Sequence, residues 1–147
     1  LMYLIDTNVV SELRKLGSGR EDPKVAKWAQ SVETVSLFVS VVTIQELEIG
    51  IQLALRRDAL KGEMLRTWMT KRVLPAFDGR ILSVDLTVAQ RSATLHVPNP
   101  RPVRDGLIAA TALVHGLTMV TRDVADFEPC GVSLLNPWDF AHDTGRA

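Results

Sequence analysis

Met2-Tyr3-Leu4-Ile5-Asp6-Thr7-Asn8 opens with a short, largely apolar run that ends at an acid and two polar residues. Such a run reads as a strand buried on both faces. Asp, Thr and Asn are residues whose side chains accept the free N–H groups at a helix start. The stretch therefore predicts a strand that ends at Asp6 and feeds directly into a helix. That helix is expected to run to about Leu16, where Gly17-Ser18-Gly19 stops it.

The same grammar recurs downstream. Pro23 opens a helix with Val25, Trp28, Ala29 and Val32 at helical spacing. Val35 to Val41 is rich in β-branched and aromatic residues and reads as a strand, with a helix starting at Thr43. The pattern shifts at Arg56-Arg57-Asp58, so residues 44–73 read as a helical hairpin, or as one long broken helix, that Pro75 and Gly79 close. Arg80 to Val84 is a strand, Leu86 to about His96 a helix, and Pro98-Asn99-Pro100-Arg101-Pro102 a stiff loop. Gly106 to His115 is apolar almost all round, which marks a buried helix, and Gly116 ends it. Leu117 to Thr121 and Val132 to Leu135 are the last strands. Alternation of this kind predicts an α/β fold, a mostly parallel sheet with helices on both faces.

Bulk properties narrow the function classes. The 147 residues fit one domain, residues 1–147, with a short C-terminal tail from about 139 to 147. A chain of this length buries enough surface to fold without disulfide or structural metal. The lone Cys130 excludes an internal disulfide and a Cys-rich zinc site. No run of about 18 apolar residues exists to span a membrane, and no export signal opens the chain. The expectation is a cytoplasmic protein. Net charge is zero, from 17 basic and 17 acidic residues, so bulk charge alone does not hold nucleic acid. The distribution is uneven, however. Residues 56–104 carry 10 basic and 4 acidic groups, between ends where acids outnumber bases.

In parallel sheets ligands sit beyond the carboxyl ends of the strands. Asp6 follows the first strand, Glu46 lies a few residues past the second, and Asp123 follows the strand ending near Val120. Asp105 opens the buried helix after the proline loop. Each acid alone has a simpler reading as a helix cap. Thr43-Ile44-Gln45-Glu46 even fits the capping box, in which Glu46 bonds back to the Thr43 amide. Capping does not explain four acids converging on one edge. Clustered carboxylates repel, and a deep cluster without a cation is costly. Hard divalent cations take oxygen ligands, which makes Mg²⁺ or Mn²⁺ the natural occupant. Gly50, four residues past Glu46, leaves room on the same helix face.

These residues carry a family resemblance. Tyr3-Leu4-Ile5-Asp6-Thr7-Asn8 resembles the opening motif of PIN-domain ribonucleases, and Glu46-Leu47-Glu48-Ile49-Gly50 their E-x-x-x-G. Asp105-Gly106-Leu107-Ile108-Ala109-Ala110-Thr111-Ala112 resembles D-x-x-I-A-A-x-A, and Thr121-Arg122-Asp123-Val124-Ala125-Asp126-Phe127 resembles T-x-[DN]-x-x-D-F. Leu135-Asn136-Pro137-Trp138 resembles a common ending of one branch. Any one motif is weak; the ordered set from Met2 to about Trp138 is specific, and its look is that of VapC-type toxins, including the FitB-like branch. The resemblance implies a PIN-like three-layer α/β/α sandwich and a Mg²⁺- or Mn²⁺-dependent endoribonuclease. It implies a homodimer restrained by a small antitoxin that usually carries a DNA-binding domain. By motif match, Asp6, Glu46 and Asp105 are metal ligands and catalytic residues, with Asp123 as the fourth acid, a position where many members carry Asn. Asp126 is the next candidate. Thr7, Asn8 and Thr121 match positions that line the site.

The chemistry follows from such a ligand set. A bound cation acidifies a water and screens the phosphate, leaving 5′-phosphate and 3′-hydroxyl ends. An acidic pocket repels RNA, so the backbone has to be held elsewhere. Arg56, Arg57, Arg66, Lys71, Arg72, Arg80, Arg101 and Arg104 are the candidates for that basic rim. His96, His115 and His142 show no metal-ligand spacing, and Cys130 has no basic neighbour in sequence to activate it. Two alternatives remain in view: a non-catalytic PIN-fold binding module, or a different Mg²⁺-dependent phosphate-processing enzyme. A dehalogenase-like start lacks its second aspartate at Asn8, and a receiver domain lacks its late lysine, since no lysine follows Lys71.

Overall fold

The computed structural model describes residues 1–141, so part of the expected tail and His142 lie outside the described residues. Five short strands form one sheet in the order β3-β2-β1-β4-β5, and every pairing is parallel. They are β1 (Tyr3–Ile5), β2 (Leu37–Ser40), β3 (Ile81–Leu82), β4 (Thr118–Val120) and β5 (Leu134–Leu135). The main helices are α1 (Thr7–Leu13), α2 (Pro23–Ser31), α3 (Val41–Arg57), α4 (Ala59–Trp68), α5 (Leu74–Ala76), α6 (Leu86–Thr94), α7 (Val103–His115) and α8 (Val124–Phe127). The strand order reverses at β1 and β4, which is where a parallel sheet opens its crevice.

Side chains alternate across the sheet, because the strand repeat is two residues. Ile5, Val39 and Val120 face one layer, with Val9, Trp28, Leu47, Ile51 and Met69 from the helices. Leu4 and Met119 face the other, with Ile108, Ala109, Ala112 and Phe127. Ala109, Ala110 and Ala112 are fully buried, so ordinary close packing of α7 accounts for the alanine run. Trp28 is only 1 % exposed and meets Tyr3 edge-on, with ring centroids 5.6 Å apart. Met69, just past α4, is buried, and Leu65 and Trp68 of α4 pack against the core, whereas Leu60 and Met64 point out at 74 % and 64 % exposure.

Several boundaries differ from the sequence reading, each for a local reason. α1 stops at Leu13, and the chain turns through Gly17 and Gly19, both at positive φ. The expected strand from Val35 begins as a 3₁₀ turn at Thr34–Ser36. α3 starts at Val41 instead of Thr43, because the Ser40 hydroxyl accepts the Val42 N–H at 3.0 Å and caps the helix there. β-branched Val41 and Val42 thus join the helix against their strand preference. α7 starts at Val103, directly after Pro102. Beyond α4, Pro75 does not end the helical path. A π-turn at Met69–Val73 precedes it, and the chain continues to Phe77. A wider turn suits a segment that loses an N–H donor at proline.

Asp58 breaks the α3–α4 hairpin, its carboxylate accepting the Lys61 N–H at 3.2 Å. Gly62 makes the close crossing of the two helices, since a Cβ there falls 2.7 Å from the Leu55 Cα. A Cβ at Gly50 meets nothing within 4 Å. The two glycines therefore predict opposite effects. Gly62→Ala will destabilise by about 1–3 kcal/mol through overpacking, whereas Gly50→Ala will stabilise by about 0.5–1 kcal/mol through helix propensity. Urea denaturation reads both; equal signs would contradict the packing.

Candidate active site

Asp6 sits at the end of β1 with its own N–H on the Val120 carbonyl of β4, which places it at the switch point of the sheet. One carboxylate oxygen accepts the Thr7 N–H at 2.8 Å and so caps α1. The other accepts the Thr121 hydroxyl at 2.8 Å. Asp6 is only 6 % exposed. Burial raises its pKa from 3.8 to about 6, with the bonds from Thr121 and Thr7 opposing and the charges of Glu46 and Asp105 adding to the rise.

Thr121 follows β4 and is completely buried. Its hydroxyl oxygen also accepts the Asp123 N–H at 3.0 Å, so one side chain joins Asp6 to the loop that carries Asp123. Asn8, in the first turn of α1, donates its amide to Asp123 at 3.1 Å and accepts the Arg122 N–H at 3.3 Å. The α1 start and the β4–α8 loop are thereby tied across the crevice. Asp123 makes no side-chain cap on α8.

Glu46 lies in the second turn of α3, not the first, because the helix begins at Val41. The capping-box reading fails with that shift: Ser40 caps the helix and Thr43 is inside it. Glu46 is turned instead to the site, accepting the Thr7 hydroxyl at 2.6 Å and facing the Arg104 guanidinium at 3.7 Å. Thr43 is completely buried, with its hydroxyl 3.3 Å from that of Thr7. This is the supporting residue that sequence reasoning took for a cap. The available signal was its place three residues before Glu46, on the same helix face.

Asp105 occupies the first turn of α7 and forms no side-chain cap. Its pKa is raised, first by burial, then by the charges of Glu46, Asp126 and Asp123, with Arg104 opposing. Asp6 and Asp105 thus feel acids carried on other chain segments, and of the four principal acids only Asp6 caps a helix. The donor set is made of hard oxygens, the kind that divalent cations take. Among the described residues no three carboxylates yet surround one point: Asp6 is turned onto Thr121, and Glu46 onto Thr7 and Arg104.

The expected basic rim is brought together only in part. Arg104 reaches the site. Arg66 is held in two bonds by Glu48, at 2.8 and 2.9 Å. Arg80 donates to the carbonyls of Thr34, Leu37 and Ala76 and lies over Phe77. That clamp sits at the amino end of β2, opposite the acids, so Arg80 does not belong to the rim. Arg101 donates to the Leu95 carbonyl beside its own loop, and Arg72 lines an apolar hollow with Val10, Arg14, Trp68 and Phe77. Arg56, Arg57 and Lys71 are exposed on or next to the helical hairpin. Burial raises the pKa of Cys130, which fits a core thiol and not a nucleophile.

Comparison with known proteins agrees with this geometry. Residues 3–128 match the PIN domain. The chain is 37 % identical to a VapC ribonuclease, Y4jK, of Sinorhizobium fredii, over 94 % of this chain and 99 % of that one. It is 36 % identical to the toxin FitB of Neisseria gonorrhoeae, over 93 % and 99 %. The crystal structure of FitAcB from the same organism superposes with a TM-score of 0.84 at 34 % identity, covering 95 % of this chain and all of that one. A toxin–antitoxin complex from Klebsiella pneumoniae follows at TM-score 0.64 and 26 % identity, covering 92 % and 97 %. No described helix is long and apolar enough to cross a membrane. With the motifs, the parallel sheet order and these likenesses in agreement, the chain belongs to the PIN-domain family, in the branch that holds VapC ribonucleases and the FitB toxin.

Proposed function

We propose that this protein is a divalent-cation-dependent endoribonuclease, the toxin of a type II toxin–antitoxin pair, acting in the cytoplasm as a homodimer restrained by its antitoxin. The observation that carries the reading is the gathering of Asp6, Glu46, Asp105 and Asp123 at one sheet edge, three of them free of any capping duty. The likenesses to a VapC ribonuclease and to toxin–antitoxin structures supply the substrate and the partner. The single-domain reading of residues 1–147 is supported, over residues 1–141, by one sheet with a core layer on each face.

Asp6, Glu46, Asp105 and Asp123 are the residues that would hold Mg²⁺ or Mn²⁺, with Asp126 beside them. When bound there, the cation supplies a water acidic enough to attack near neutral pH and offsets the charge that builds on the phosphate. The chain's own residues prepare the site. Thr121 orients Asp6 and ties it to the Asp123 backbone, and Thr7 orients Glu46. Asn8 holds Asp123 toward the crevice. Arg104 offers positive charge at the edge, next to Glu46, where a phosphate approaches. The raised pKa values of Asp6 and Asp105 express first their burial and then the repulsion of the neighbouring acids, and a bound cation would offset both.

Purified protein should cleave RNA in Mg²⁺ or Mn²⁺, leaving 5′-phosphates, and chelator should abolish the cut. Asp105→Asn should lower turnover by at least about 100-fold, in the range reported for loss of one stabilising group. Thr121→Val should lower it by about 10–100-fold, as loss of a ligand-orienting partner does. Sequencing of RNA ends with Asp6→Asn as control reads the cleavage; equal cleavage by the variants would refute the assignment.

The charge cluster also sets a pH dependence. A carboxylate whose folded pKa is raised contributes stability that is complete below its unfolded value and lost as pH rises through about 6. In chelator, Asp6→Asn should therefore be more stable than the parent at pH 7.5 by about 2–3 kcal/mol, and the gap should close as pH falls toward 4. Thermal melts across that range test it, and a gap independent of pH would contradict it.

A further inference from the structure

A shallow groove starts at the acids and leaves along the α3–α4 hairpin. Thr7 and Glu46 lie at its inner end, Gly50 forms its floor, and Arg14, Lys61 and Trp68 line its sides. A second hollow shares Gly50, Lys61 and Leu65 with the first and continues to Arg57 and Asp58. The two are one track, running from the site to the turn of the hairpin. Because Gly50 carries no side chain and a Cβ there meets nothing, the floor stays open.

Between Glu46 at its inner end and Asp58 at its outer end, the charged side chains along this track are cationic. Arg14, Arg57 and Lys61 line it, and none of them forms an ion pair among the described residues. Asp58, at the far end, is occupied as the cap of α4. The Arg14 guanidinium lies 5.9 Å from the centre of the Trp68 ring, which holds it on the groove wall. The contrast with Arg66 is direct, since that guanidinium is spent on Glu48. Free cations beside an open floor are what an anionic strand needs.

We propose that Arg14 and Lys61 hold backbone phosphates of the RNA segment adjoining the cleaved bond, with Gly50 keeping the path between them open. This rests on the nuclease reading above. A strand cut in its interior must leave the site in two directions, and this track is one that begins at Glu46. Neither residue stands out in sequence: Arg14 lies at the end of α1 and Lys61 in the first turn of α4, and only the hairpin brings them to one groove.

Binding of a short fluorescent single-stranded RNA, measured by anisotropy against KCl concentration, tests the assignment in the uncleaving Asp6→Asn background with Mg²⁺ present. Arg14→Gln and Lys61→Gln should each weaken binding and reduce the slope of log Kd against log salt by about 0.7, the value for one lost single-strand phosphate contact. Lys61→Arg should restore the slope, and Gly50→Gln should weaken binding by filling the floor while every charge stays. In the cleaving protein, Lys61→Gln should raise KM with kcat unchanged. Parent-like affinity and slope in both charge variants would overturn the proposal and leave the nuclease reading intact, whereas a parent that binds and cleaves no RNA would sink both. If the variants lose affinity only for the antitoxin protein, the groove is a partner site and the proposal is likewise overturned.

Discussion

Negative charge held close in a half-dry crevice is the constraint around which this molecule is arranged. Asp6 is buried at the carboxyl end of the central strand, and its charge is opposed by Glu46 and Asp105. Asp105 in turn is opposed by Glu46, Asp126 and Asp123. Such an arrangement costs folding free energy unless donors or a cation share the charge. The protein supplies part of the answer itself, through the Thr121 and Thr7 hydroxyls, the Asn8 amide and the Arg104 guanidinium. What remains unbalanced is the chemical capacity of the site.

The scaffold makes this arrangement affordable by keeping it at the rim of a well-packed sheet. Parallel pairing puts the ends of β1, β2 and β4 on one edge, so acids distant in sequence meet without a long loop. Buried threonines do much of the joining. Thr43 and Thr121 are both fully enclosed, and their hydroxyls are satisfied within the acidic cluster. A hydroxyl that donates to one acid and accepts an N–H from the loop of another fixes both positions, because a buried polar group left without a partner is expensive. The hairpin of α3 and α4 then extends the same edge outward as a basic groove, giving the acidic centre and its surroundings opposite signs.

Element type was legible in the sequence wherever a single local force dominated. The apolar run at Met2–Ile5 became β1, the Pro23 start and the Gly116 stop fell where their backbone preferences require, and the break at Asp58 followed from its capping side chain. Boundaries failed where two local preferences competed. Val41 and Val42 favour a strand, yet the Ser40 cap, together with burial of Val42, draws them into α3. That shift of two residues removed Thr43-x-x-Glu46 from a capping role and freed the carboxylate. Likewise, the start of α7 at Val103 moved Asp105 from a capping position into the first turn.

Residue identity and order alone determined the α/β alternation, the four acids at strand and helix junctions, and the family to which the chain belongs, since these depend on local pattern. Only the folded arrangement decided which polar residues work together. The choice of Thr7 and Thr121 as partners of the acids, the diversion of Arg66 to Glu48 and Arg80 to carbonyls on the far edge, and the pairing of Arg14 with Lys61 all join residues distant along the chain. A long, flexible charged side chain has many partners within reach, and its sequence neighbours carry no record of which one packing will present. Sheet order and helix crossing supply that information, and both are settled by burial of the apolar faces and not by the charges themselves.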